Sequence, residues 1–143
     1  MNSTLLRIAS VLLFIQASAH TFLGMLLHKS KGPAEDAVVE VMKAYRFNAM
    51  GSPRTFWDFY FGYGLISGVL VFLIATLVWQ VGSLAKTEPL RARPLALSLG
   101  IGTLVFSILC WNYFFALPGL ITLGAAICCC AVPFVTRRAE SRS

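Results

Sequence analysis

The sequence predicts an all-α integral membrane protein: a bundle of four transmembrane helices in a single domain that covers residues 1–143. Two observations lead to this fold class. Of the 143 residues, 57% are hydrophobic and 13% are charged, whereas soluble domains average roughly 45–50% apolar and about 25% charged residues. In addition, four apolar stretches are each long enough for a helix that crosses a hydrocarbon core of about 30 Å. They lie at residues 5–27, 56–82, 95–115 and 118–135.

The first span overlaps a signal-like sequence, because Ala17-Ser18-Ala19 resembles a signal-peptidase site. Cleavage there would leave His20 as a new N-terminus, an arrangement that can bind copper. However, the apolar run continues through residues 21–27, without the polar break that cleavage usually requires. We therefore expect the segment to stay attached as a span, and we predict no metal site.

The connection between the first two spans predicts a short amphipathic helix. Pro33 stands at its start, and Glu35 and Asp36 follow near the positive end of the helix dipole. Apolar residues then recur on one face at helical spacing, namely Val38, Val41, Met42 and Tyr45. We expect this helix to lie on the outer surface of the bundle and to stop near residues 48–51. Ser52-Pro53 would then cap and start the second span.

Aromatic and small residues predict where the spans end and how they pack. Amphipathic rings favour the headgroup boundary, and they lie near predicted span ends at Trp57, Tyr60, Tyr63, Trp79, Trp111 and Tyr113. The third connection, Ala116-Leu117-Pro118, is so short that the third and fourth helices should form a tight antiparallel hairpin. Two small-x-x-x-small pairs, Gly64/Gly68 and Ser98/Gly102, predict close contacts between helices.

The basic residues predict the orientation of the chain. The first loop carries five basic residues, three acidic residues partly offset them, and seven basic residues lie at the opposite ends of the spans. Those seven are Arg7, Lys86, Arg91, Arg93, Arg137, Arg138 and Arg142. The positive-inside bias therefore places both termini in the cytoplasm. The net charge of +6 fits anionic lipid headgroups, and nucleic-acid binding is not predicted because no recognition motif accompanies the charge.

The cysteines do not predict a redox or metal centre. Cys110, Cys128, Cys129 and Cys130 all lie in apolar runs, with no C-x-x-C pair and no zinc spacing. Three consecutive residues on a helix point about 100° apart, so they do not converge on one metal. We interpret these cysteines as small apolar filler, and we predict no cofactor.

One cluster of polar residues is a candidate site. His20 lies roughly 10 Å below the outer edge of the first span at 1.5 Å per residue, where an ionisable group is costly unless it faces protein or water. The predicted topology places other polar side chains in the same region. The candidate ligand-binding residues are His20, Asp58, Asn112, Tyr60 and Gln16.

The sequence leaves two interpretations of this cluster open. In the first, Asp58 pairs with His20, fixes the imidazole tautomer and poises it for proton transfer. In the second, Asp58 pairs with Arg54 one turn earlier, and His20 bonds a backbone carbonyl or Gln16. The second interpretation makes the polar residues structural.

Two strings of the sequence carry a family resemblance: residues 20–24 (HTFLG) and residues 52–64 (SPRTFWDFYFGYG). With these strings, the chain resembles a group of uncharacterised small four-span bacterial inner-membrane proteins over most of its length. The resemblance implies the four-span architecture and the bacterial cytoplasmic membrane as location. It implies no activity and no role for any residue.

Two function classes follow from the sequence. The first is a non-catalytic membrane protein, either an accessory subunit or a lipid-contacting factor. Its partners would be the lipid bilayer and either another protein or a second copy of the chain. The alternative is a small membrane enzyme or binding protein for an amphipathic ligand, such as a quinone or an isoprenoid, that uses His20 and Asp58. A co-purifying protein would distinguish a subunit from a ligand-binding protein.

Overall fold

The computed structural model describes residues 2–140, and their side chains as far as residue 134. Helix α1 (Asn2–Ser18) continues as a π-helical segment (Ala19–Leu26), and α2 (Pro33–Ala44) follows. A hairpin of β1 (Arg46–Ala49) and β2 (Ser52–Thr55) leads into the long helices α3 (Phe56–Thr87), α4 (Pro89–Tyr113) and α5 (Ala116–Glu140). The all-α class is confirmed, with the two short strands as an addition. The side chains of Arg137 and Arg138, and all of Arg142, lie outside the described residues.

Four helices in the described part are long and apolar enough to span a membrane: Asn2–Leu26, Phe56–Thr87, Pro89–Tyr113 and Ala116–Phe134. They correspond to the four predicted stretches, but α3 and α4 are longer than predicted and only Glu88 separates them. The backbone of Glu88 leaves the helical region (φ −133°, ψ 68°), because the following Pro89 disfavours helical geometry at the residue before it. Hydropathy predicted where the apolar part of each helix ends. Both α3 and α4, however, extend beyond that point through polar residues until they meet at this proline.

The segment after α2 differs from the sequence prediction. We expected Ser52-Pro53 to start the second span, and this prediction is wrong: both residues lie in β2. Strands β1 and β2 are antiparallel, with Ala49 opposite Ser52. Met50 and Gly51 form the two-residue turn with positive φ angles of 53° and 89°, as primed hairpin turns require. The Asn48 side chain accepts a hydrogen bond from the Gly51 amide at 2.7 Å.

One compact unit comprises residues 2–17 and 71–140, and it contains the core. Leu6 and Leu13 of α1 are buried there with residues of α3, α4 and α5. The Ser10 hydroxyl donates to the carbonyl of Ala75 at 2.7 Å. Where α1 and α3 meet, small residues such as Ala9 and Ala75 are fully buried.

Helices α4 and α5 of this unit form a tight antiparallel hairpin, as predicted, but Ala116-Leu117-Pro118 already belongs to α5, and Phe114 and Phe115 make the connection. Gly100 contacts Cys129 and Cys130, whereas Gly119, near the start of α5, contacts the far end of α4. The Ser107 hydroxyl donates to the Gly119 carbonyl at 2.8 Å. The predicted contact at Ser98/Gly102 is wrong within the described residues, because no atom of another element lies within 4 Å of where a Gly102 side chain would start. Gly100, on another face of the helix, makes the close contact instead.

The second compact unit, Ser18–Leu70, comprises the π-helical segment, α2, the hairpin and the first half of α3. Here the predicted Gly64/Gly68 pair does make close contacts, because Met25 packs on Gly64 and Thr21 packs on Gly68. A cluster of aromatic rings joins the hairpin to α3, with neighbouring ring centroids 5.2–6.2 Å apart. Its members are Tyr45, Phe47, Phe56 and Phe59.

Candidate functional site

His20 lies in the π-helical segment and is half-buried. Its Nε2 atom is 2.9 Å from the carbonyl oxygen of Gly64 on α3. A carbonyl only accepts, so Nε2 carries the hydrogen and donates it. The π-helical geometry, in which each amide bonds the carbonyl five residues earlier, ends with the amide of Leu27 on the Phe22 carbonyl at 2.8 Å. His20 therefore links two helices through one ring nitrogen, as one of the two sequence interpretations expected.

Asp58 closes the first turn of α3. Its Oδ2 accepts from the Thr55 amide at 2.8 Å, and its own amide donates to the Thr55 hydroxyl at 3.1 Å. This reciprocal pair is a capping box with aspartate at the third helical position. The expected His20–Asp58 pair is thus not formed, and neither is the Asp58–Arg54 ion pair. The cap satisfies Asp58 locally, which the sequence interpretation did not consider.

The remaining candidates have partners nearby or lie on the surface. Asn112 donates to the Ile108 carbonyl of its own helix at 2.8 Å. Tyr60 is exposed, with its ring centroid 5.7 Å from that of Trp57, and Gln16 is half-buried on α1. Of the three candidates in the second unit, His20, Asp58 and Tyr60, none hydrogen-bonds another. A ligand-binding role for these residues stays a prediction.

A basic cavity lies where α2, the hairpin and α3 meet, and we call it the helix–hairpin pocket. Its volume is about 260 Å³. The lining residues are Lys43, Arg46, Pro53, Arg54, Thr55, Trp57 and Asp58. Sequence reasoning missed this pocket because it treated residues 46–55 as the end of one helix and the start of another. The pairing of β1 with β2 brings cations from both strands to one place.

The pocket carries an excess of positive charge. Lys43 Nζ lies 5.3 Å from the centre of the Trp57 ring, within cation–π range, and 3.5 Å from the exposed Glu40 carboxylate. Arg54 donates one hydrogen bond, from Nη1 to the Pro53 carbonyl at 3.0 Å. Among the described residues, the Arg46 guanidinium makes no hydrogen bond or ion pair. Three cations therefore face two carboxylates: that of Asp58, which is bound in the helix cap, and that of the exposed Glu40 beside Lys43.

A second polar contact orders the chain before α2. His28 Nε2 lies 2.6 Å from Glu35 Oε1, and Glu35 Oε2 accepts from the Lys31 amide at 2.8 Å. The Lys31 amide and then His28 lower the pKa of the Glu35 carboxyl below its ordinary value, because both contacts favour the charged form. This contact connects the end of the π-helical segment to the first turn of α2.

Metal ligation has no candidate cluster within the described residues, where no three His, Cys, Asp or Glu side chains lie close enough to hold an ion. The four cysteines are free thiols. No protein-family model, curated protein or solved structure matches the chain. What the chain does is therefore inferred from its own residues.

Proposed function

We propose that the chain is a multi-pass protein of the bacterial inner membrane and acts there as a non-catalytic, lipid-contacting factor. The outward exposure of its apolar helices is the observation that carries the proposal. No more than 39% of the most apolar 18-residue stretch of any of the four helices is buried inside the protein. Each exposed apolar side chain would cost about 25 cal/mol per Å² in water. A bilayer removes that cost.

The polar side chains in the helices support a structural rather than a catalytic role. Ser10, Ser107 and His20 each bond a backbone carbonyl of another helix, and Thr103 and Thr122 bond carbonyls of their own helices. Such bonds are the usual means of satisfying polar groups in helices surrounded by lipid. Ser10, Ser107 and His20 therefore link helices, whereas the two threonines are satisfied within their own helices.

The second unit supports lipid contact near the membrane surface. Val38 and Val41 of α2 are exposed, and Tyr60 and Tyr63 project from the start of α3. Apolar and aromatic side chains of this kind favour the headgroup boundary. With basic side chains beside them, this unit suits the surface of an anionic membrane.

The other end of α3 supports the proposed cytoplasmic location of both termini. Arg7 lies 3.4 Å from the centre of the Trp79 ring and donates to the Ser83 hydroxyl at 2.8 Å. Lys86 and Arg91 are exposed near the α3–α4 junction. A cation stacked on an indole is well suited to the inner headgroup region, where anionic lipids attract basic side chains.

The two other functions from the sequence have less support. A quinone- or isoprenoid-binding protein that uses His20 and Asp58 would have to disrupt the bond to Gly64 and the cap at Thr55. An accessory subunit would need a surface specific for a partner protein. The exposed apolar side chains do not indicate such a surface, because they fit acyl chains as well as they fit another protein.

Alkaline extraction followed by native mass spectrometry tests the proposal. We expect the protein to stay in the membrane pellet at high pH and, after release in mild detergent, to carry phospholipid. Release into the alkaline supernatant would contradict the membrane location. A stoichiometric protein partner would replace the lipid-contacting function with that of a subunit, and a bound quinone or isoprenoid would favour the alternative function.

A further inference from the structure

We propose that the helix–hairpin pocket binds the phosphate of an anionic phospholipid headgroup. The inference rests on the proposed membrane location and adds a defined site to it. Three observations carry it: the unused donors of the cations, the aromatic and apolar surroundings of the pocket, and its size.

The pocket offers donors that match a phosphate. A guanidinium has a planar set of N–H donors that binds phosphate oxygens in pairs. Arg46 uses none of its donors on a described residue, and Arg54 uses one, on the Pro53 carbonyl. Lys43, which also pairs with the exposed Glu40 carboxylate, adds a third cation from α2. These cations come from three different elements, α2, β1 and β2, and line the same cavity.

The Asp58 carboxylate in the lining offsets only part of this charge, although Arg54 and Arg46 also attract it electrostatically. Asp58 Oδ2 accepts from the Thr55 amide, and the helix N-terminus that it caps is itself partly positive. No ion pair within 4.0 Å joins Asp58 to Arg46 or Arg54 in the described structure. The remaining donors of Arg46 and Arg54 are therefore available to a ligand.

The surroundings favour a lipid over a soluble phosphate. Trp57 lines the pocket, and α3 begins its apolar run at this point. Tyr60, whose ring contacts that of the lining residue Trp57, leaves 56% of its surface exposed. A headgroup phosphate would bring acyl chains to such side chains, whereas a free phosphate would leave them in water. The pocket is also below the roughly 300 Å³ of sites that enclose a drug-sized molecule, which suits a headgroup alone.

The test compares matched charge substitutions in the full-length protein. Arg46→Gln, Arg54→Gln and the double variant remove pocket cations, and Lys29→Gln removes an exposed cation from the same connection outside the pocket. Each protein is placed in nanodiscs of phosphatidylglycerol and phosphatidylcholine, and the retained phosphatidylglycerol is measured by native mass spectrometry after release. Circular dichroism checks that every variant stays helical.

We expect each arginine substitution to weaken phosphatidylglycerol retention about fivefold and the double substitution about twenty-five-fold, since one cation near an anionic surface contributes on that order. Lys29→Gln should retain the lipid like the parent protein. Equal retention by the double variant and Lys29→Gln would overturn the site. That result leaves the proposed function intact, whereas failure of the parent protein to enter nanodiscs would refute the membrane location itself.

A second arm separates the two sources of phosphate. Inorganic phosphate is titrated into the detergent-solubilised parent protein and the double variant, with chloride at matched ionic strength. The proposal expects phosphatidylglycerol to remain bound at millimolar phosphate. Displacement of the lipid at micromolar phosphate, dependent on Arg46 and Arg54, would show that the pocket is a site for soluble phosphate and overturn the lipid as its ligand.

Discussion

Substituting Gly100 with alanine should destabilise the α4–α5 hairpin, because the added methyl group has no room. A Cβ atom at this position would lie 2.6 Å from Cys130 Sγ and 3.1 Å from both Cys129 Cβ and the Cys130 amide nitrogen. Favourable contacts between heavy atoms are at about 3.5–4.0 Å. The side chain of Cys130 and the backbone of α5 would both have to move.

The matched control is Gly102→Ala on the same helix, where no atom of another described element lies within 4 Å of the added atom. Both substitutions gain the helix propensity of alanine, about 0.5–1 kcal/mol in water, so this term cancels in the comparison. Overpacking costs about 1–3 kcal/mol. We therefore expect Gly100→Ala to be less stable than Gly102→Ala by about 1–3 kcal/mol.

Reversible unfolding of the detergent-solubilised protein, followed by circular dichroism, measures this difference. A second substitution, Cys130→Ala, removes the nearest obstructing atom and should recover part of the loss. Equal stabilities of Gly100→Ala and Gly102→Ala would refute the close approach of α4 and α5. If Cys130→Ala recovers none of the stability that Gly100→Ala loses, the contact with the Cys130 sulfur is refuted.

Three further predictions concern the second unit. His20→Ala should lower the free energy of unfolding by about 0.6 and at most about 1.7 kcal/mol. In double-mutant cycles, its effect should add to that of Asp58→Asn within about 0.5 kcal/mol, since the two side chains share no partner. Thr55→Ala should cost about 1 kcal/mol by weakening the cap and, in the same cycles, should be non-additive with Asp58→Asn. The pKa of Glu35 is lowered in the folded protein. The ionised carboxylate therefore stabilises the fold at pH values above its ordinary pKa of 4.5, and this stabilisation is lost as the pH falls through the lower pKa of the folded state. The amide proton of Lys31 should titrate in that range by NMR, and Glu35→Gln should abolish the effect.

Hydropathy and length predicted the four long helices, because an apolar run of about 20 residues has few other stable conformations. The start of α2 was also predictable, since Pro33, Glu35 and Asp36 act within one helical turn. The positions where α3 ends and α4 begins were harder to predict from the sequence. Helical hydrogen bonds continue past the edge of the hydrophobic region, and only the geometry before Pro89 ends α3.

The hairpin and the pocket were not predicted, because their signals are weak in the sequence. The turn uses Met50 at positive φ, a conformation that residues other than glycine, asparagine and aspartate seldom adopt. The hydrogen bonds of Asp58 to Thr55 were also not predicted. The spacing from Arg54 and the depth of His20 suggested charge pairing, whereas the hydrogen bonds to Thr55 lie within a single helical turn.

Labelling of single cysteines tests most directly whether α3 crosses the membrane between the β1–β2 hairpin and the α3–α4 junction. Met50 and Glu88, which lie on either side of α3 and are both exposed, are replaced by cysteine one at a time in a chain whose four native cysteines are alanine. A membrane-impermeant maleimide is then added to intact spheroplasts. We expect Met50→Cys to be labelled at once and Glu88→Cys only after permeabilisation. Labelling of both positions from the outside at equal rates would contradict the account.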